Sequence, residues 1–189
     1  MNNNTLRTFI GIPLSPAAKE MLRKIQEDLQ RFPIFVKWVD SSNIHLTLKF
    51  LGEITPQKLK SIQTIFPSLF KNSSSFEITI THLGAFPDVE KPRIIWAGIS
   101  QNAERLTELA QKIENDLALF GFPKEDQEFT PHLTIGRVRS LKNIETIAHE
   151  ISGKTIPPIT QTIDTVVLFK SILTSQGPIY EYLSEVKLM

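Results

Sequence analysis

Hydrophobic and polar side chains alternate with a period of two over several short segments of this sequence. Residues 76–81 (FEITIT) alternate without a break, which is typical of a strand with one face in the core and one face in solvent. Other short apolar segments, bounded by turn residues, are also predicted strands: 6–12, 36–39, 44–51, 93–99, 132–138, 163–171 and 180–187.

Between these strands the apolar residues recur every three or four positions, which is the period of an amphipathic helix. In the first such segment Ser15 can cap a helix and Pro16 suits its first turn, and the apolar stripe then runs to Phe32. Pro157-Pro158 is interpreted as a turn. Helices are predicted over 16–32, 56–65, 103–120 and 141–151.

The two halves of the chain repeat one another faintly. Residues 43–48 (NIHLTL) match residues 130–135 (TPHLTI), and residues 59–65 (LKSIQTI) match residues 141–147 (LKNIETI). Each half therefore supplies a strand–helix–strand–helix–strand unit. We expect one domain over residues 1–189, an α+β protein with pseudo-twofold symmetry whose two similar lobes face each other across a groove.

The composition narrows the chemistry that this groove can carry. The 189 residues include 21 basic and 20 acidic side chains, which excludes a polybasic coat for nucleic acid. There is no cysteine, so disulfide frameworks, cysteine-rich zinc sites, iron–sulfur clusters and thiol nucleophiles are all excluded. The four histidines are then the only side chains that titrate near neutrality without help from their surroundings.

No targeting segment is recognisable. The start of the chain, Met1 to Thr5, lacks the basic and apolar regions of a secretory signal, and the purest apolar run, residues 94–99, is far shorter than a membrane span. We expect a soluble cytoplasmic protein that has no contact with membranes and is a monomer, because the groove lies within one chain.

The repeated His-Leu-Thr sequence contains the residues that are best suited to acid–base catalysis. Because side chains alternate along a strand, His45 and Thr47 share one face while the aliphatic residues between them anchor the other face in the core. The same holds for His132 and Thr134. Two imidazoles on opposite walls of a groove can divide acid–base work, and the two hydroxyls can donate to phosphate oxygens. No metal or cofactor is expected.

The other two histidines lack this motif. His82 follows the strand 76–81, and His149 falls in a helix beside an acidic residue, so both are interpreted as ordinary structural or solvated side chains. A metal site is disfavoured because H-x-T does not have the i,i+4 spacing of helical ligands and no third ligand cluster accompanies the pair.

Nearly the whole chain resembles the 2H phosphoesterases, specifically the bacterial and archaeal RNA 2′,3′-cyclic phosphodiesterases first described as 2′-5′ RNA ligases. The resemblance rests on residues 7–12 (RTFIGI), 36–39 (VKWV), 43–53 (NIHLTLKFLGE), 83–86 (LGAF), 92–98 (PRIIWAG), 129–137 (FTPHLTIGR) and 177–180 (GPIY). It implies two antiparallel sheets flanking a central groove, with helices packed outside. It also implies that RNA with 2′,3′-cyclic phosphate ends, or small cyclic nucleotides, are the binding partners.

The resemblance also assigns roles to residues. His132 would accept a proton from water, and His45 would donate one to the 3′ oxygen as the cyclic ester opens to a 2′-phosphate. Thr47, Thr134 and Arg137 would hold the phosphate. Strand alternation puts Arg137 on the wrong face, so the strand would have to twist or turn at Gly136.

Two residues beyond the first motif are interpreted by alternation alone. Lys49 shares the face of His45 and is a weaker phosphate-binding candidate. Phe50 matches a position near the substrate in the family, but alternation favours core packing for its ring.

Two alternatives stay open. The same site could join RNA ends by the reverse reaction, forming a 2′-5′ bond, and sequence cannot separate the two directions. The chain could also be a non-catalytic module that binds RNA or nucleotides in the groove, although binding alone favours Arg or Lys over two near-neutral imidazoles.

Overall fold

The computed structural model describes residues 5–152, 154–175 and 177–189 and contains two sheets and four α-helices. Met1 to Asn4, which include most of the segment inspected for a signal, lie outside these residues. The strands are β1 (Leu6–Pro13), β2 (Phe35–Trp38), β3 (His45–Ile54), β4 (Phe76–Phe86), β5 (Ile94–Gln101), β6 (His132–Ser140), β7 (Thr155–Ile163), β8 (Thr165–Leu173) and β9 (Pro178–Lys187). The helices are α1 (Pro16–Leu29), α2 (Pro56–Leu69), α3 (Ala103–Ala118) and α4 (Glu145–Ile151).

The first two helices begin where the sequence predicts. The Ser15 hydroxyl accepts a hydrogen bond from the Ala18 amide at 3.2 Å, and the Thr55 hydroxyl accepts one from the Lys58 amide at 3.3 Å. Each cap is followed by a proline in the first turn, where its missing N–H costs no helical hydrogen bond. Local chemistry therefore fixes both starting points.

The strands form two antiparallel sheets. Sheet A has the order β3-β1-β8-β9, and sheet B has the order β2-β6-β5-β4-β7. His45 begins β3 in sheet A, and His132 begins β6 in sheet B. The expectation of two antiparallel sheets that each contribute one motif to a groove is confirmed.

The chain crosses between the two sheets more often than the internal repeat predicts. Strand β2 lies in the first half of the sequence but pairs with β6 in sheet B, while β8 and β9 from the second half complete sheet A. Each half does contain the expected strand–helix–strand–helix–strand succession, β1-α1-β3-α2-β4 with β2 inserted before β3, and β5-α3-β6-α4-β7. The strands of each half are nevertheless divided between the two sheets. Periodicity identifies a strand but not its partner, which depends on contacts far away in sequence.

Strand β7 was not predicted, because Pro157 and Pro158 were interpreted as a turn. Both prolines lie inside this strand. The strand is at the edge of sheet B, and both prolines lie at a register shift where neither is paired with a residue of β4. Their missing N–H groups therefore remove no hydrogen bond from the ladder.

The apolar core lies between the helices and the outer faces of the sheets. Leu46 and Leu133, which follow the two motif histidines, are fully buried in it, as are Leu22 of α1 and Ile113 of α3. The opposite faces of β3 and β6 remain available for the groove. No helix in the described part of the chain is long and apolar enough to cross a membrane.

Candidate active site

Strand β3 divides its side chains as the motif predicts. Leu46 and Leu48 are buried, while His45 and Thr47 are half-buried and line a groove with a volume of about 1360 Å³. The aliphatic residues hold the strand against the core, so the imidazole and the hydroxyl have fixed positions on the groove side.

Strand β6 repeats this arrangement. His132 and Thr134 line the same groove, and Leu133 and Ile135 are buried. The order of buried, half-buried and exposed positions in the first nine residues of β3 is identical to that in β6. The structure thus brings together all four motif residues predicted from the sequence.

The ring of His45 lies among aromatic side chains. It stacks on Phe9 with 4.7 Å between ring centroids, and the edge of Tyr180 meets it at 4.9 Å. Phe9 in turn stacks on Phe169 at 4.8 Å. These rings exclude water from one side of the imidazole and restrict its rotation.

His132 has a smaller aromatic support. Phe86, at the end of β4, meets its ring edge-on at 4.9 Å between centroids. Phe86 packs in turn against Trp96 of the neighbouring strand, with 5.2 Å between their centroids. Supporting roles for Phe9 and Phe86 could not be predicted from the sequence, because a single apolar residue on a strand gives no signal of which side chain it contacts.

Both motif histidines make the same hydrogen bond. Nδ1 of His45 lies 2.7 Å from the Asn43 carbonyl oxygen, and Nδ1 of His132 lies 2.7 Å from the Thr130 carbonyl oxygen. A carbonyl oxygen can only accept, so Nδ1 carries the proton in each ring. In the neutral ring this leaves Nε2 as the nitrogen that can accept or deliver a proton.

Burial makes both imidazoles harder to protonate. It lowers the pKa of His45 to about 4 from the ordinary 6.5, and the positive charges of Lys19 and Arg137 contribute in the same direction. Burial and then Arg137 also lower the pKa of His132. In the free protein at neutral pH, both rings are therefore neutral.

A β-bulge in β3 reverses two expectations. Ile10 pairs with Lys49 and Gly11 pairs with Thr47, so Leu48 is an extra residue in the ladder. After the bulge, alternation continues in the opposite phase. Lys49 is only 1% exposed and belongs to the core, whereas Phe50 is 55% exposed and lines the groove. The expectation that Phe50 packs in the core was wrong. The expectation that Lys49 binds phosphate is contradicted because its side chain, although next to the groove, is buried and paired with Glu114.

An equivalent bulge in β6 explains why Arg137 faces the groove, although simple alternation places it on the opposite face. Ile95 pairs with Gly136 and Trp96 pairs with Thr134, so Ile135 is the extra residue. Arg137 is then exposed and lines the groove. The alternation of side chains along β6 does reverse, as the orientation of Arg137 requires. The reversal occurs at Ile135, one residue before the predicted position at Gly136. Glycine is needed at 136, because a Cβ there would lie 2.8 Å from the Val36 side chain.

Position 49, the equivalent of Gly136, carries a buried ion pair. The Lys49 ammonium donates to Glu114 of α3 at 2.6 Å and to the Pro123 carbonyl at 3.0 Å. The other oxygen of Glu114 accepts the Glu125 amide at 3.3 Å, and the Glu125 carboxylate accepts the Phe50 amide at 3.2 Å. These contacts connect α3 and the loop after it to the bulge beside His45.

A buried glutamine supports the second bulge. The Gln26 side chain of α1 donates to the Val39 carbonyl at 2.7 Å and to the Ile135 carbonyl at 2.8 Å. The carbonyl of the extra residue, Ile135, also accepts from the Val39 amide at 3.0 Å, so the Gln26 side chain adds a second hydrogen bond at the bulge. A polar residue four positions after Leu22, on the apolar face of α1, was the signal for such a role.

The remaining predicted site residues have simple surroundings. In the described ranges, the hydroxyls of Thr47 and Thr134 form no hydrogen bond with another residue, although both line the groove. His82 lies inside β4 over Gly98 and meets Trp96 edge-on at 5.7 Å, and His149 is exposed on α4. Over residues 5–152, 154–175 and 177–189, no three His, Asp or Glu side chains converge as metal ligands would.

Two lobes that each present a H-x-T-x strand to one groove define the class of 2H phosphoesterases. The model of the 2′-5′ RNA ligase superfamily matches residues 35–172. The chain belongs to this family.

Curated relatives cover almost the full length. The chain is 33% identical over 183 residues to an RNA 2′,3′-cyclic phosphodiesterase of Aquifex aeolicus, with 95% of this chain and 96% of the relative covered. It is 35% identical over 181 residues to a protein with the same name from Methanocaldococcus jannaschii, with 95% and 99% covered.

Solved structures agree with the fold. A protein of Thermus thermophilus superposes with a TM-score of 0.78 at 25% identity and covers 97% of this chain and 98% of its own. Escherichia coli LigT complexed with 3′-AMP superposes with a TM-score of 0.76 at 25% identity, with 98% and 99% covered. The resemblance drawn from the sequence is confirmed.

Proposed function

We propose that this protein hydrolyses 2′,3′-cyclic phosphodiesters at RNA ends, or in small nucleotides, to 2′-phosphomonoesters. The observation that carries the proposal is the pair of motif strands, which present two imidazoles with the same Nδ1–carbonyl bond to one groove. The relatives in Aquifex aeolicus and Methanocaldococcus jannaschii, which bear the name RNA 2′,3′-cyclic phosphodiesterase, support the choice of substrate.

The two histidines would divide the proton transfers. Nε2 of His132 accepts a proton from the attacking water as the new P–O bond forms, and Nε2 of His45 donates a proton to the 3′ oxygen as its bond to phosphorus breaks. One proton enters His132 and one leaves His45, so the pair exchanges its charge states in each turnover and solvent restores them.

The substrate itself would supply the charge that His45 needs. In the free protein burial keeps the pKa of His45 at about 4, so the ring is neutral at pH 7. A bound phosphate brings a negative charge next to the ring, which favours the imidazolium and offsets the effect of Arg137. We infer that binding of the cyclic phosphate raises the pKa of His45 and so promotes its protonation.

Phosphate oxygens would be held by Thr47, Thr134 and Arg137. The two hydroxyls lie in the groove with their donors unused by other described residues, and Arg137 lies close enough to affect the pKa of both histidines. Donors aimed at oxygens that gain charge in the transition state contribute strongly to catalysis. Phe50, beside them, offers an exposed ring on which a base can stack.

Incubation with adenosine 2′,3′-cyclic phosphate tests the proposal. We expect adenosine 2′-phosphate, identified by chromatography, with no requirement for added metal and no inhibition by EDTA. His45→Asn and His132→Asn should each lower kcat by roughly a thousandfold or more, while His149→Asn, a control at an exposed histidine, should leave it unchanged. Full activity in both motif variants would refute the assignment. Tight binding without turnover would instead favour a non-catalytic nucleotide-binding module.

The joining of RNA ends can be tested with the same protein. A site that opens a cyclic phosphate with water can also open it with the 5′-hydroxyl of a second RNA. That hydroxyl takes the place of water, the bond from phosphorus to the 3′ oxygen breaks as before, and a 2′-5′ linkage with a free 3′-hydroxyl remains. RNA halves with matching ends would show whether a 2′-5′ linkage forms.

A further inference from the structure

The charges in the groove are distributed unequally between its two walls. Four cations come from sheet B or its immediate flank: Lys37 of β2, Arg93 just before β5, and Arg137 and Arg139 of β6. We call these residues the cationic wall. Sheet A contributes Arg7 and the aromatic rings of Phe9, Phe50 and Tyr180.

The four cations are neighbours on adjacent strands. Lys37 pairs directly with Arg137, so their side chains leave the same face of sheet B. Arg139 follows two residues along β6, about 7 Å further by strand geometry. The Val138 amide, between them, donates to the Arg93 carbonyl at 3.0 Å, which places Arg93 beside this segment.

Among the described residues that line the groove, lysines and arginines outnumber carboxylates by six to three. None of the four residues of the cationic wall forms an ion pair with another described residue. Seven other lysines and arginines, elsewhere among the described residues, do form ion pairs. Three acidic residues line the groove. Asp40 accepts from the Ser42 amide and hydroxyl, Glu125 accepts the Phe50 amide, and Glu128 is exposed and forms no ion pair with another described residue. Like charges on adjacent strand positions repel one another, so this wall needs an anion to be favourable.

The cyclic phosphate accounts for only one of these cations. It would be held by Arg137 together with the two threonines, at the start of the wall. Lys37 lies level with Arg137 on the edge strand β2, while Arg139 and Arg93 lie further from the histidines along the sheet. The cyclic phosphate leaves these three cations unassigned. In a chain with a formal net charge of only +1, this local excess is specific to the groove.

We propose that the outer cationic wall, formed by Lys37, Arg93 and Arg139, is a subsite for a second phosphate on the 5′ side of the nucleotide that bears the cyclic phosphate. The proposal rests on the proposed function. Its ligand is a phosphate one nucleotide unit from the cyclic group, and such a phosphate can be a terminal 5′-phosphate or a phosphodiester of an RNA chain. The step from Arg137 to Arg139 is comparable to the distance between neighbouring phosphates in an extended strand.

Three substrates distinguish these sources. Adenosine 2′,3′-cyclic phosphate has no second phosphate; its 5′-phosphorylated form has a terminal one; the trinucleotide ApApA with a 2′,3′-cyclic end has phosphodiesters. We expect kcat/KM to rise from the first substrate to the others. Equal values for the second and third would identify a terminal phosphate as sufficient, and a further rise would identify the RNA chain.

The variant Lys37→Gln/Arg139→Gln tests the residues. We expect the preference for the trinucleotide over the mononucleotide to fall roughly tenfold, since two exposed cation–phosphate contacts are lost. The slope of log kcat/KM for the trinucleotide against log salt should become shallower by about 0.7, because the subsite neutralises one phosphate of a single strand. Arg31→Gln/Lys60→Gln removes the same charge from exposed positions outside the groove and should retain both the preference and the slope.

Two results would overturn the subsite: equal kcat/KM for all three substrates, or an unchanged preference in the groove variant. A wild-type protein that hydrolyses none of the substrates would instead overturn the proposed function. The subsite can still be judged in that case from the Kd values of adenosine 2′-phosphate and of ApApA with a 2′-phosphate end. A tighter Kd for the trinucleotide that Lys37→Gln/Arg139→Gln abolishes supports it, and equal Kd values refute it.

Discussion

Phe50 and Arg137 occupy equivalent positions in the two lobes. Each is the fifth residue after its motif histidine, and each is exposed in the groove because a bulge at Leu48 or Ile135 reverses the phase of its strand. The pseudo-symmetry of the backbone is thus retained while the side chains differ. One lobe presents an aromatic surface and the other a cation, which suits a ligand with a base at one side and a phosphate at the other.

The aromatic member of this pair should affect binding more than folding. Phe50→Ala removes a ring that is 55% exposed, so the free energy of unfolding should change little, whereas kcat/KM for adenosine 2′,3′-cyclic phosphate should fall roughly tenfold as base stacking is lost. Phe50→Tyr should retain most of the activity. Phe120→Ala, at an exposed phenylalanine outside the groove, is the control. Unchanged kinetics in Phe50→Ala would show that the base lies elsewhere.

The cationic member should set the pH dependence of the reaction. Burial, with a contribution from Arg137, lowers the pKa of both His45 and His132 below 6.5, so the optimum of kcat/KM, which reports on the free enzyme, should lie on the acid side of pH 6.5. Arg137→Gln removes a positive charge that disfavours the imidazolium. The pKa of each histidine then rises, and the profile moves to higher pH while activity falls roughly a hundredfold.

This shift separates a charge effect from a general loss of structure. Arg31→Gln, which removes an exposed arginine outside the groove, should leave the profile in place. A profile of Arg137→Gln with reduced height but unchanged midpoints would mean that Arg137 binds phosphate without influencing the histidines.

The burial of His45 also predicts how the free energy of unfolding depends on pH. The folded protein protonates His45 only near pH 4, whereas the unfolded chain does so near 6.5. As pH falls through this window, the unfolded state takes up the proton and the folded state does not, so stability decreases by up to about 3 kcal/mol. The lowered pKa of His132 acts in the same direction.

Urea denaturation between pH 7 and pH 4 measures this effect. His45→Gln should lose less stability over the window than the wild type, because the titrating group is gone. His149→Gln, at an exposed histidine on α4, should follow the wild-type curve. Parallel curves for His45→Gln and the wild type would contradict a strongly lowered pKa for this imidazole.

The ion pair of Lys49 and Glu114 should be sensitive to the loss of one partner. Lys49→Met leaves a carboxylate that is only 18% exposed without its cation, and we expect the free energy of unfolding to fall by about 3 kcal/mol. Lys49→Met/Glu114→Gln removes the unpaired charge and should recover part of that loss. Arg31→Met, in an exposed pair with Asp28, should cost less than about 1 kcal/mol. A small change in Lys49→Met would show that Glu114 remains solvated.

Much of the site could be predicted from local sequence. The alternation of His45, Leu46, Thr47 and Leu48 places the imidazole and hydroxyl opposite the core, and the repeat at His132 places a second set in the other lobe. Caps at Ser15 and Thr55 mark the starts of two helices in the same way. These features depend on residues within a few positions of one another, so a single sequence is sufficient to predict them.

The tertiary structure decided the orientation of the side chains that come after each motif. Whether Lys49 or Phe50 faces the groove depends on how β3 pairs with β1, and whether Arg137 does depends on how β6 pairs with β5. A bulge of one residue reverses every side chain after it, and it is stabilised by partners far away in sequence, such as Glu114, Glu125 and Gln26. Local alternation contains no information about those distant partners. The sequence alone therefore determined the pair of motif histidines, while the register of the sheets determined which other side chains line the groove.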